Sequence, residues 1–289
     1  MKPVVFQYRN PKTLSEALAL LSEYRDDVAV LSGGQSLMPM LNLRVAQPAM
    51  LVDINLVNGL DAIRCDDDGV SIGGRTRHND VLRSAAVAKN LPLLTQAMTH
   101  VAHEAIRNRG TLGGSLALAD PAAELPACTV CLGGKIVAAS VDGERRIDAS
   151  DFFLDMYTTA LDAHEVIVRV EFPRFDPNWR FAFDEVARRH GDFAVAGLAM
   201  AMRCEDGIVV DARIAFTGVE PMPRRLSDVE ACFIGSRLDE PDNRIRARTA
   251  LCDTLSPIDS GEFPPAYRVH VAGELLERLA AQLANANSG

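Results

Sequence analysis

One local arrangement restricts this chain more than any other. The aliphatic run Val28-Ala29-Val30-Leu31 stops at Ser32-Gly33-Gly34-Gln35-Ser36, and a short helical stretch, Leu37 to Leu43, follows. A strand that ends in two glycines lets backbone N–H groups converge, and no Cβ blocks the approach of a ligand. Such nests beside a helix N-terminus suit phosphate oxygens. A second glycine turn, Gly110-Thr111-Leu112-Gly113-Gly114-Ser115, repeats the theme and again carries hydroxyl side chains. Neither segment contains G-x-G-x-x-G or G-x-x-x-x-G-K-[ST], so the residues themselves indicate a phosphate cradle and name no nucleotide.

The surroundings of the first turn read as a small βαβ-type unit. Val4 to Phe6 is a short strand candidate, and Thr13-Leu14-Ser15-Glu16 has capping-box spacing. Leu14, Ala17, Leu18 and Leu21 then share one helical face. Val28 to Leu31 is predicted as a buried strand, and Met50 to Ile54 returns as another. From Leu60 the texture changes to hairpins. Ile63–Cys65 and Val70–Ile72 flank an Asp-Gly turn, and Ile136–Ser140 pairs with Glu144–Ile147 across Asp142-Gly143. Helices are expected over about Asn79–Ala86, over Pro92–His103 and from after Pro121 through Cys131, and Val166–Phe172 as a strand. Pro173 and Pro177 mark a boundary. Beyond it come strand hairpins, best seen in Phe193–Arg203 and Ile208–Phe216. Helices at Asp228–Ile234, Asn243–Leu255 and Tyr267–Leu283 complete the chain. At 289 residues it exceeds what one core usually serves, so two or three packed units are expected.

Composition excludes several roles. Lys and Arg number 30 against 39 acids, a net charge of −9, which argues against a nucleic-acid-binding surface. No apolar run approaches the ~18 residues of a bilayer span, and the opening MKPVVFQYRNPKT has no apolar core of a secretory signal. Six irregularly spaced Cys suit a reducing compartment, so a cytoplasmic protein is expected.

The remaining chemistry-bearing residues assemble into no catalytic set. Cys128 and Cys131 sit in an apolar stretch and read as two buried thiols on a helix. No second C-x-x-C or His pair completes a zinc site. His100 and His103 have i, i+3 spacing without an acidic or thiol partner. His190 lies in the polar turn Arg188-Arg189-His190-Gly191-Asp192. Neither catalytic residues nor metal ligands are assigned.

The chain nevertheless resembles a known family. Ser32-Gly33-Gly34-Gln35-Ser36-Leu37-Met38-Pro39 looks like its first FAD loop. Ile106-Arg107-Asn108-Arg109 leading into the second glycine turn, followed by Ala119-Asp120-Pro121-Ala122-Ala123-Glu124-Leu125-Pro126, looks like its second. Arg188-Arg189-His190-Gly191-Asp192-Phe193-Ala194 is a third marker. The resemblance is to the FAD-binding medium subunit of molybdenum hydroxylases, the xanthine dehydrogenase and carbon monoxide dehydrogenase medium subunit family. It implies an α+β protein. Residues 1–176 would form a p-cresol methylhydroxylase-type FAD-binding domain of two α/β subdomains (about 1–57 and 58–176), and residues 177–289 a C-terminal α/β domain closing over the flavin.

Carried over by motif, Ser32, Gly33, Gly34, Gln35 and Ser36 belong to the first cofactor loop, and Thr111, Gly114 and Ser115 to the second. Glu124 stands where the family usually has an Asp near the adenosine ribose. Val101 and Leu161 fall at flavin-lining positions, and Phe193 where a Tyr shields the isoalloxazine. Gln35 and Ser115 replace the His and Asn of many members and keep hydrogen-bonding side chains. Glu185 occupies the neighbourhood of a Lys near the flavin pyrimidine, and a carboxylate reaching the flavin there would lower its potential.

The resemblance further implies an electron-transfer subunit with noncovalent FAD. A small subunit would carry [2Fe-2S] clusters and a large subunit the molybdenum cofactor, in a dimer of heterotrimers, with electrons passing on to an external acceptor. The Cys spacing here fits no iron–sulfur cluster, in keeping with that division. The alternatives are a self-sufficient FAD-dependent oxidase on the same fold and a scaffold subunit without cofactor. Neither the organic substrate nor the acceptor is legible in this chain.

Overall fold

The structure is a computed structural model that describes residues 2–285. Its first unit comprises β1 (Gln7–Arg9), α1 (Leu14–Tyr24), β2 (Val28–Leu31), α2 (Leu37–Asn42) and β3 (Met50–Asp53). The strands form a parallel sheet in the order β1-β3-β2. Thr13 caps α1 by accepting from the Glu16 amide, and the Glu16 carboxylate accepts from the Thr13 amide in return. Ala17, Leu18 and Leu21 turn inward from this helix onto Met50 and Val52.

The second unit runs from β4 (Ile63–Cys65) and β5 (Gly69–Gly73) through six helices. These are α3 (His78–Arg83), α4 (Ala85–Asn90), α5 (Pro92–Met98), α6 (Glu104–Arg107), α7 (Leu112–Leu118) and α8 (Glu124–Cys131). Then come β6 (Lys135–Ser140), β7 (Gly143–Asp148), α9 (Ala149–Phe152), the small hairpin β8 (Phe153–Asp155) and β9 (Thr158–Thr159), and β10 (Val166–Pro173). The five-stranded sheet, order β4-β5-β10-β6-β7, is antiparallel throughout. Its two faces are buried by alternation. Val137, Ala139, Val166 and Val168 meet the first unit, while Ile136, Ala138 and Val170 lie under the helices with Leu94, Leu112 and Leu125.

The last part is an antiparallel sheet of β11 (Trp179–Ala187), β12 (Ala194–Glu205) and β13 (Ile208–Thr217), followed by α10 (Ser227–Ala231), α11 (Pro241–Thr254) and α12 (Pro265–Asn285). Strand β12 is covered on both sides. Leu198, Met200 and Met202 join the core with Leu275 and Leu279 of α12, whereas the short Ala199 and Ala201 join the core of the second unit. Polar ties reinforce that second contact. The Gln96 side chain accepts from the Phe183 amide (2.9 Å) and donates to the Phe181 carbonyl (3.2 Å). Thr217 Oγ1 donates to the carbonyls of Pro121 (3.0 Å) and Ala123 (2.7 Å). Among the described residues no helix is long and apolar enough to cross a membrane.

The expected α+β fold class is the one observed, with local corrections. The first strand is Gln7–Arg9 rather than Val4–Phe6, because pairing with Met50–Val52 fixes its position. Strand β2 is only half-buried. The expected Asn79–Ala86 helix breaks at Ser84, whose hydroxyl accepts from the Val87 amide and starts α4. The expected Pro92–His103 helix ends at Met98, so His100 and His103 do not share a helical face. Gly113 and Gly114 are not turn residues but lie in the first turn of α7.

Candidate functional site

The two glycine segments meet. Strand β2 delivers Ser32-Gly33-Gly34-Gln35-Ser36 to the start of α2, with Gly34 at φ +73°, where glycine is favoured over other residues. A Cβ on Gly33 would stand 2.5 Å from the Arg109 carbonyl oxygen and 2.9 Å from Gly110 Cα, so only glycine allows the segments this close. Ser32 Oγ and Thr111 Oγ1 share a 3.0 Å hydrogen bond across the junction. Thr111 caps α7 by accepting from the Gly114 amide at 3.2 Å. Gly113 is held by its amide donating to the Gly74 carbonyl at 2.7 Å, with no room for a Cβ.

Both segments border one cleft of about 1160 Å³, slightly larger than the usual small-molecule site. All twelve residues singled out by the sequence line it: Ser32, Gly33, Gly34, Gln35, Ser36, Val101, Thr111, Gly114, Ser115, Glu124, Leu161 and Phe193. Among the described residues, the amides of Gly33, Gly34, Gln35 and Ser36 meet no acceptor in the chain. Four consecutive donors beside a glycine-lined helix start are the donor set an oxyanion requires. The site therefore fits a diphosphate-bearing cofactor.

Farther along the cleft the wall changes character. Glu124 opens α8 and is 8% exposed, and burial, reinforced by nearby Asp120, raises its carboxyl to about 7. Val101 is 7% exposed. The Arg107 guanidinium donates to the carbonyls of Val101 (2.8 Å) and Ala102 (2.7 Å) and fixes this turn, where Ala102 has φ +43°. Gly191, in the β11–β12 loop, packs on Ala102 and His103 and has φ +84°. The same loop presents Phe193, a residue 73% exposed, to the cleft.

Glu185 does not reach this wall. Its side chain is 3% exposed and 3.8 Å from His100 Nδ1. Burial, with Glu124 and Asp184 nearby, raises its carboxyl to about 8. The β11 register turns it into the interior against Gly197. His100 likewise stays out of the cleft, and among the described residues no group of three or more His, Cys, Asp and Glu could hold a metal ion. Cys128 and Cys131 are fully buried, and burial pushes both thiols up.

Sequence reasoning missed part of the wall. His78 lines the cleft behind Gly110, and burial lowers its imidazole to about 4. Ile258, Ser260, Glu262 and Phe263 come from the connection before α12, and Arg268 from α12 itself. Arg268 donates to the carbonyls of Val195 (2.7 Å) and Gly218 and to Ser260 Oγ (2.7 Å). A signal for it existed, since an Arg in line with Val271, Ala272 and Leu275 on the apolar face of an amphipathic helix needs buried acceptors.

Comparison with known proteins agrees with this geometry. Residues 4–175 match the family described as the FAD binding domain in molybdopterin dehydrogenase, and residues 181–283 match the CO dehydrogenase flavoprotein C-terminal domain. The chain is 42% identical to caffeine dehydrogenase subunit beta of Pseudomonas sp. (strain CBB1), over 81% of this chain and 80% of that protein. It is 38% identical to the 6-hydroxypseudooxynicotine dehydrogenase complex subunit alpha of Paenarthrobacter nicotinovorans, over 98% and 95%. Among solved structures, carbon monoxide dehydrogenase of Hydrogenophaga pseudoflava superposes with a TM-score of 0.95 at 36% identity, covering 99% of both chains. Two glycine segments in contact, an open row of amides and these matches along nearly the whole chain lead to one conclusion: the chain belongs to the FAD-binding medium subunits of the molybdenum hydroxylases.

Proposed function

We propose that this chain holds FAD noncovalently in the cleft and is the electron-transfer station of a multi-subunit molybdenum hydroxylase. Residues 1–176 (subdomains about 1–57 and 58–176) are the FAD-binding domain, and 177–289 close over the flavin. Ser32 to Ser36, with Thr111, Gly114 and Ser115, take the diphosphate. Glu124 meets the adenosine ribose hydroxyls, and Val101, Leu161 and Phe193 border the ring system. Bound there, the isoalloxazine supplies the redox chemistry, while the chain binds, orients and shields it.

The single observation carrying this reading is the row of unpaired amides, Gly33 to Ser36, at the junction of two segments that only glycine allows to touch. In the proposed complex, a large subunit with the molybdenum cofactor oxidises the organic substrate, with water as oxygen source. A small iron–sulfur subunit relays the electrons here, and they leave to an external acceptor. The complex is a dimer of heterotrimers in the cytoplasm. Relatives named for caffeine and for 6-hydroxypseudooxynicotine are 42% and 38% identical to this chain, which supports placing substrate choice on a partner. Noncovalent attachment is supported by the wall itself: among the described residues it contains no Cys, and its His is His78, behind the second glycine segment.

The test is purification of the chain with its partners, an absorption spectrum and mild denaturation. A flavin band released from the polypeptide, with two further subunits co-purifying, is the expected result. Flavin fluorescence that stays with the polypeptide on a denaturing gel contradicts noncovalent binding. A colourless chain that takes up no added FAD overturns the reading.

A further inference from the structure

The two glycine segments come from different units, and something must set their separation. The first follows β2 of the parallel sheet, and the second runs into the first turn of α7 in the other unit. A polar chain outside both motifs runs between them. Tyr8 on β1 donates its hydroxyl to Asp53 Oδ2 at 2.6 Å. Asp53 Oδ1 accepts from the Asn55 amide (2.8 Å) and from Asn55 Nδ2 (2.6 Å). Asn55 Nδ2 also donates to the Ser32 carbonyl at 2.9 Å, gripping the first segment where it leaves the strand. Asn55 Oδ1 in turn accepts from Arg77, whose other terminal nitrogen donates to the Arg109 carbonyl, immediately before the second segment.

Arg77 thus holds the second loop directly and the first through Asn55, with one planar fork. Its two donors are in fixed relation, so a guanidinium sets a spacing that an ammonium cannot. The acceptor it holds just before the second segment, the Arg109 carbonyl, is the same oxygen that a Cβ on Gly33 would strike. Clasp and closest approach coincide at one atom. The half-buried guanidinium is also crowded by the charges of Arg75 and Arg109, and burial with this crowding lowers its proton affinity.

We infer that Arg77, through Asn55, is a positioning residue for cofactor binding: it fixes the distance between the two glycine segments. The inference rests on the FAD reading of the cleft and assigns a role to residues in neither motif.

The test uses the full chain stripped of FAD, as wild type, Arg77→Lys, Asn55→Leu and the double variant. FAD affinity is measured by titration, and the melting temperature of each apo-protein is measured alongside. Arg77→Lys keeps the charge and loses the fork, and Asn55→Leu keeps the fork and loses the grip on Ser32. Each single change is expected to weaken FAD binding about tenfold, the scale of one charge-assisted contact. The double variant should bind no worse than the weaker single within about twofold, because both changes break one clasp. Apo melting temperatures should stay within about 2 °C of wild type. Single variants binding within twofold of wild type overturn the inference. So do losses that multiply in the double variant, or affinity that falls only in step with melting temperature. Wild-type protein that takes up no FAD defeats the underlying reading, whereas wild-type uptake with unaffected variants defeats the clasp alone.

Discussion

Gly114 shows how a single position ties sequence to ligand. A Cβ there would stand 2.7 Å from Thr111 Oγ1, the atom that caps α7. Gly114→Val therefore dislodges the cap and puts a branched side chain where a phosphate oxygen would approach. FAD affinity should fall at least about tenfold by titration of apo-protein. Cys128→Ala, a change to a buried thiol away from the cleft, should leave the affinity within about twofold. Equal losses would undo the assignment of the second segment. Glu185 yields a different test. Its folded-state carboxyl titrates near 8, against an ordinary value of 4.5, so the folded chain binds this proton more tightly than the unfolded chain. The stabilisation is complete below about 4.5, declines as pH rises through 8 and is lost above it. Glu185→Gln removes that slope. Urea unfolding at pH 5 and pH 8.5 should show the variant gaining on wild type by on the order of 4 kcal/mol, and parallel profiles would contradict the burial argument. At this scale the glycines were legible because their chemistry is local. Ile258 to Phe263 and Arg268 were not, because only the packing of α12 against β12 brings them to the cleft.

Elements were legible where a local rule fixed both ends. The Thr13–Glu16 capping box starts α1 as expected, and the Asp66–Gly69 turn joins β4 to β5. Where long-range contact decides, sequence alone overran the boundary. The helix from Pro92 stops at Met98 because the chain must turn to bring Val101 to the cleft, and Arg107 anchors that turn by its two carbonyl contacts. The β11–β12 loop is the counterpart on the C-terminal side. Gly191 there has φ +84°, and an added Cβ would lie 3.0 Å from His103 Cε1 and 3.1 Å from the Ala102 carbonyl. Gly191→Ala should lift the loop and Phe193 with it, and so open the bound flavin to solvent. Iodide quenching of flavin fluorescence is expected to increase in this variant, with the melting temperature lowered by only a few degrees, the scale of ~1 kcal/mol. Unchanged quenching would separate Phe193 from the ring.

On the scale of the whole molecule, the cleft exists because three parts close around it. The parallel unit brings the first glycine segment, the helical unit brings the second with Glu124, and the C-terminal sheet supplies Phe193 and the α12 side. Thr217 and Gln96 fasten the last part to the second unit. The wall carries the open amides of Gly33 to Ser36, the donors of a cofactor site. The decisive measurement is substrate turnover by the purified, FAD-loaded chain alone, by the complex with its small and large partners, and by the complex built on FAD-stripped chain. A flavin-directed acceptor is used throughout. The chain alone should show no turnover of the organic substrate, the full complex should turn over, and the stripped complex should fail until FAD is restored. Turnover by the isolated chain at the rate of the complex would contradict the electron-transfer role and leave a self-sufficient oxidase in its place.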